Sequence, residues 1–125
     1  MADIIGAMYS HLDPSRAHDF AMDNDQMINL AETFETSLNQ DLAALAQALV
    51  NSDPDPMRRL LHSLKGYVTF LSKEELSAQV IQLESMSRQN TVDEVRTMVQ
   101  QVIPALQSLL AEVTHWKTTE LLKQA

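Results

Sequence analysis

The 125-residue chain contains no cysteine, which excludes disulfides, thiolate metal sites and a cysteine nucleophile. Only two glycines and four prolines occur, and no segment alternates apolar and polar residues as a half-buried strand would. No stretch approaches the roughly 18 uncharged apolar residues that a membrane span requires. The first residues, Met1 to Met8, lack a basic leader region and Asp13 follows before any long apolar run develops, so no signal peptide is expected. A soluble cytoplasmic protein is expected, without membrane association. Basic residues are scarce as well: nine Lys and Arg face seventeen Asp and Glu, a formal charge of −8. That balance argues against nucleic acid as a partner, because phosphate backbones are held by clusters of Lys and Arg. No glycine-rich phosphate loop exists, so ATP binding and self-phosphorylation are not supported.

With 45% apolar residues, the chain has the size and composition of one domain with a single core, here residues 1–125. Ala, Leu, Gln, Glu and Met are plentiful, and the chain reads as all-α. Asp13-Pro14, Asp53-Pro54 and Asp55-Pro56 set proline just inside a helix start. Ser72-Lys-Glu-Glu75 and Thr91-Val-Asp-Glu94 both match the capping box. These signals predict short N-terminal helices within residues 1–22, then four longer helices at roughly 24–50, 55–71, 73–89 and 92–122. Apolar stripes at helical spacing run through Met27, Ala31, Phe34, Leu38, Leu42, Leu45 and Leu49, through Leu76, Val80 and Leu83, and through Val95, Met98, Val99, Val102, Leu106, Leu109 and Val113. Four such faces with short connections predict an antiparallel four-helix bundle over 23–122. Pro104 should bend the last helix without ending it.

On the second long helix, Met57, Leu60, Leu61, Leu64, Val68 and Leu71 form the buried face. At about 100° per residue their mean direction lies nearly opposite His62. The same rotation gathers Arg58, Lys65, Gly66, Thr69 and Lys73 around His62 on the outward face. Four of the nine basic residues, Arg58, Arg59, Lys65 and Lys73, fall within 58–73 on an otherwise acidic protein, which suggests a specific anion. Gly66 sits inside a strong helix, where glycine costs about 1 kcal/mol relative to alanine. Standing one turn after His62 on the same face, it leaves room for another molecule to reach the imidazole. Cations at Arg58 and Lys65 should keep the ring neutral and nucleophilic, then steady a phosphoryl group transferred to it.

These residues, His62-Ser-Leu-Lys65-Gly66, resemble the signature of the histidine-containing phosphotransfer (HPt) family of phosphorelays, a resemblance that extends over roughly 24–113. In that family the histidine helix is followed by a short turn and an antiparallel helix ending in a Leu-Glu or Leu-Gln pair, which matches Leu83-Glu84. The resemblance implies a phosphoryl shuttle that takes its group from a receiver-domain aspartyl phosphate, the partner contributing its own metal ion and acid residues. Receiver domains of response regulators, or a hybrid sensor histidine kinase, are the implied partners, and the protein is expected to act as a monomer with no cofactor. Two departures from the family pattern bear on partner choice. Tyr67, Val68, Thr69 and Phe70 are bulky where small residues are usual, and Ser72, read as a helix N-cap, replaces a second glycine.

Glu84 is also reached by geometry: His62 lies ten residues before Ser72 and Glu84 twelve after, about 15 and 18 Å along antiparallel helices at 1.5 Å per residue. It either accepts the Nδ1 hydrogen and leaves Nε2 to attack, or is an ordinary surface acid. Arg58, Arg59, Thr69, Phe70, Lys73 and Arg88 form the expected docking rim. Phe70, rotated about 80° from His62, either meets a partner or covers the helix edge. Trp116 either anchors the N-terminal helices or joins a contact surface. The seven methionines mostly fall on core stripes. One Glu-x-x-His motif, Glu112-Val-Thr-His115, lacks the second that a carboxylate-bridged metal bundle needs, so no metal site is expected. His11 and His18 are expected on the surface. The alternative to a shuttle is a helical adaptor that binds a receiver domain or kinase without being phosphorylated.

Overall fold

Residues 9–19 and 23–124 are described by the computed structural model. Met1 to Met8 and Phe20 to Met22, half of the expected N-terminal helical extension, lie outside the described residues. Within them the chain forms a 3-10 helix, Pro14–Asp19, and four α-helices: α1 Asn24–Asn51, α2 Pro54–Leu71, α3 Glu74–Ser87 and α4 Val92–Leu122.

The helix ends follow from local chemistry. Asp23 caps α1 through a complete capping box with Gln26, a start that the sequence reading passed over. Ser52 ends α1 in the left-handed conformation, φ 51°, which strains a residue that carries a Cβ. Arg96 offsets that strain from α4, donating to the Leu49 carbonyl at 2.7 Å and to the Ser52 hydroxyl at 2.8 Å. Asp53 precedes Pro54 at the start of α2 but makes no side-chain cap bond. The Thr91–Glu94 capping box forms with both of its hydrogen bonds. The α4 helix runs through Pro104 without a break.

The capping box expected at Ser72 does not form. Lys73 occupies the N-cap position of α3, and Ser72 instead ends α2, fully buried. The cause is the N-terminal segment. Leu12 pairs with Ser72 in an isolated antiparallel bridge, with Asp13 N–H donating to the Leu71 carbonyl and Lys73 N–H to the His11 carbonyl, both at 2.7 Å. The bridge holds Ser72 extended, and its hydroxyl turns inward to pair with that of Ser77 at 2.6 Å.

The α1 helix packs on α2 and α4, and α3 packs on the same two helices, around one core. The expected stripes are buried, with Leu42, Leu60 and Met98 only partly so. Met27 and Met57 are core residues, and Met86 and Met98 pack against the core from partly buried positions. Tyr9, Leu12 and Ala17 close one end of that core together with Trp116, which is 2% exposed. Trp116 is therefore an internal anchor. Glu112 Oε1 accepts the backbone N–H groups of His11 and Leu12 at 2.9 and 3.0 Å, and His115 Nδ1 pairs with the Tyr9 hydroxyl at 2.7 Å. The Glu-x-x-His motif is thus engaged in holding residues 9–12. His18 is exposed and His11 half-buried. Among the described residues no helix is long and apolar enough to cross a membrane.

Candidate functional site

The α2 helix turns His62 outward because its apolar residues occupy the opposite face: Leu61, Leu64 and Val68 are buried, while the His62 side chain is 74% exposed. Its Nδ1 lies 3.2 Å from Glu84 Oε1. Glu84 comes from the facing helix α3, at the level expected from the α2–α3 turn. Its side chain is only 5% exposed, so the surface-acid reading of Glu84 does not describe it.

A buried carboxylate needs compensation, and Glu84 receives it from three sides. Oε1 faces the imidazole; Oε2 faces Lys65 Nζ at 3.4 Å and Arg88 Nη2 at 3.3 Å. Burial pushes the Glu84 carboxyl up, but the hydrogen bond with His62 and the charges of Arg88 and Lys65 together hold it below its ordinary range. An ionised carboxylate can only accept, so an imidazole in its neutral form beside it donates from Nδ1 and carries its lone pair on Nε2. Nε2 is then the nucleophilic edge of an exposed ring.

Gly66 follows one turn later on α2. A Cβ built there would meet nothing within 4 Å, so internal packing does not require glycine at this position. What its absence of a side chain provides is open surface beside the ring.

The two cations expected to flank the imidazole are placed otherwise. Arg58 turns away into the α3–α4 connection, where Nε donates to the Ser87 carbonyl at 2.6 Å and Nη2 to the Asn90 carbonyl at 3.3 Å. The last carbonyls of α3 lack intrahelical partners and draw the guanidinium to them. Lys65 reaches Glu84. The charge that touches the ring is therefore a carboxylate, with cations behind it, and not a pair of cations. Arg88, expected only as an extension of the basic rim, joins this cluster through an i,i+4 pairing with Glu84.

Of the remaining rim residues, Arg59 is exposed and Phe70 is 49% exposed. Thr69 bonds back to the Lys65 carbonyl at 2.8 Å, and its own carbonyl accepts from Arg16 at 2.7 Å. Lys73 donates to the Tyr9 carbonyl. Tyr67, bulky where a small residue was the family pattern, points toward α1: its hydroxyl donates to Asp41 at 2.9 Å and its ring stands edge-on to Phe34. Asp41 also accepts from Ser63 at 3.3 Å. This acid, which braces the histidine helix against α1, was not singled out from the sequence. It gave no local signal, since its partners lie more than twenty residues away.

The family model of the Hpt domain matches residues 29–116, well over half of the chain. The matched span includes His62, Lys65, Gly66, Glu84 and Arg88. No curated protein and no solved structure matches the chain.

Proposed function

We propose, on the premise that this chain belongs to the Hpt domain family and so serves phosphotransfer in a two-component phosphorelay, that His62 is the residue that carries the phosphoryl group. The observation that supports this most directly is an exposed imidazole whose Nδ1 is held by a buried carboxylate. The Nε2 lone pair attacks the phosphorus of a receiver-domain aspartyl phosphate. The Nε2–P bond forms, the P–O bond to the aspartate breaks, and its electron pair stays on the aspartate oxygen. The ring gains positive charge as Nε2 is substituted, and Glu84 lies where it can balance that charge through Nδ1–H. Lys65 neutralises the transferred group and Gly66 gives the receiver access. Passage to a second receiver aspartate reverses the same steps.

On this reading the four α-helices form an antiparallel bundle over 23–122 that supplies rigidity and no cofactor, and residues 1–22 are an extension of it. The protein works as a cytoplasmic monomer between receiver domains or a hybrid sensor kinase, with Arg59, Thr69, Phe70 and Lys73 on the docking rim and no nucleic-acid partner. The test is incubation with a phosphorylated receiver domain. The wild-type protein should acquire an acid-labile label and His62→Gln should acquire none. Labelling that survives the substitution would overturn the assignment to His62, whereas binding and signalling that stay intact in His62→Gln would favour the unphosphorylated adaptor.

A further inference from the structure

The two cations behind Glu84 share one oxygen, Oε2, while the imidazole has the other. One neutralising charge satisfies the pair formally, so the second asks for a reason. The two differ in attachment. Lys65 stands on α2, three residues after His62, with a flexible stem that can carry its ammonium from Glu84 to the outer side of the ring. Arg88 is the C-cap of α3, one turn after Glu84, and its planar guanidinium is tied to the helix that bears the carboxylate.

A phosphoryl group on Nε2 brings negative charge to the ring and draws Lys65 outward. Glu84 remains buried, and without a counter-charge it would take up a proton or swing away from Nδ1. Either event releases the ring at the moment when its Nδ1–H carries the most positive charge. We infer that Arg88 is a positioning residue, which keeps the Glu84 carboxylate on His62 Nδ1 when Lys65 leaves it for the phosphoryl group. Lys65 is then shared between two stages of the reaction, and Arg88 makes the sharing workable. The inference rests on His62 being the phosphorylated residue. Among the described residues, the titratable and charged groups that face Glu84 are His62 and Lys65 from α2 and Arg88 from its own helix.

Two measurements test it, one of them without phosphotransfer. In the unphosphorylated protein, Lys65→Gln imitates the departure of Lys65. The 15N imidazole spectrum of His62 should retain a Glu84-bound Nδ1–H across neutral pH in Lys65→Gln. In Lys65→Gln/Arg88→Gln that state should be lost, or should titrate away at higher pH. An unchanged spectrum in the double variant overturns the proposal even if phosphotransfer fails for every variant.

In transfer from a phosphorylated receiver, Arg88→Gln should lower kcat by roughly tenfold, the lower end of what residues orienting a histidine from behind carry in metal sites. KM for the receiver should hold, the acid limb of the rate profile should move to higher pH, and Arg88→Lys should restore most of the rate. In a Glu84→Gln background, Arg88→Gln should add nothing. A raised KM with unchanged kcat identifies Arg88 as a docking contact instead, and an equal loss in the Glu84→Gln background shows that it does not act through Glu84. Absence of any label on the wild-type protein would count against the phosphotransfer reading itself, leaving the spectroscopic result to stand alone.

Discussion

His62 and Glu84 face each other across α2 and α3 at 3.2 Å, one side chain 74% exposed and the other 5%. The pairing has a consequence for stability that can be read without any partner. Glu84 ionises below its ordinary value of 4.5 in the folded protein, so between the two values the unfolded chain binds more protons than the native state. Stability contributed by this group is complete above the unfolded value and declines as pH falls toward the folded one. Urea denaturation followed from pH 7 into the acid range should show that decline, and Glu84→Gln should flatten it. A parallel decline in both proteins would mean that other carboxylates dominate.

Gly66 separates stability from access. Alanine there should stabilise the protein by about 1 kcal/mol, because the added Cβ meets nothing within 4 Å. Gly66→Gln raises helix propensity too, but its side chain occupies the approach to the imidazole. Chemical denaturation should find both variants more stable than wild type, while labelling by a phosphorylated receiver should fall sharply for glutamine. An active Gly66→Gln protein would show that the surface beside the ring is not the approach route.

Arg58 makes the opposite separation. Its guanidinium satisfies the Ser87 carbonyl at the end of α3 and the Asn90 carbonyl in the α3–α4 connection, and charged hydrogen bonds of this kind contribute about 1.5–3 kcal/mol. Arg58→Gln should therefore lower stability by about 1–2 kcal/mol, the partly exposed setting reducing the effect. Per folded molecule, its transfer rate should stay near wild type. A large loss of rate in a fully folded variant would return Arg58 to the imidazole.

Arg58 also marks the limit of what periodicity can tell. A helical wheel gives the direction in which a side chain leaves its helix, so the outward position of His62, the buried face of α2 and the long apolar stripes were legible before any coordinates. It does not give where a long, flexible side chain comes to rest. Arg58 leaves α2 on the expected side, and Lys73 stands beyond its end at the N-cap of α3; both end on backbone carbonyls of neighbouring segments, which no local pattern announces. Ser72 failed for a related reason: its capping box was a sound local inference, overruled by the pairing with Leu12 sixty residues earlier. Glu84 was reachable because two short rises from one turn bring it level with His62. Its burial was not, since that depends on Lys65 and Arg88 converging on it.

The N-terminal segment should be integral to the fold. Leu12 is fully buried beside the α2–α3 turn, in the same core as Trp116, and its backbone joins Ser72 and Glu112. Leu12→Ala should cost about 2–5 kcal/mol, the range for emptying a fully buried leucine site. Because Trp116 is the single tryptophan in the chain, its fluorescence reports on this end of the core directly. The emission of Leu12→Ala should shift to longer wavelength at a lower urea concentration than wild type, in one transition with the loss of helical circular dichroism. If the fluorescence change came first and the helices melted later at the wild-type midpoint, residues 9–19 would be a detachable cover and the four helices would stand without them. A single shifted transition makes the bridge to Ser72 part of the framework that holds α2, and with it His62, in place.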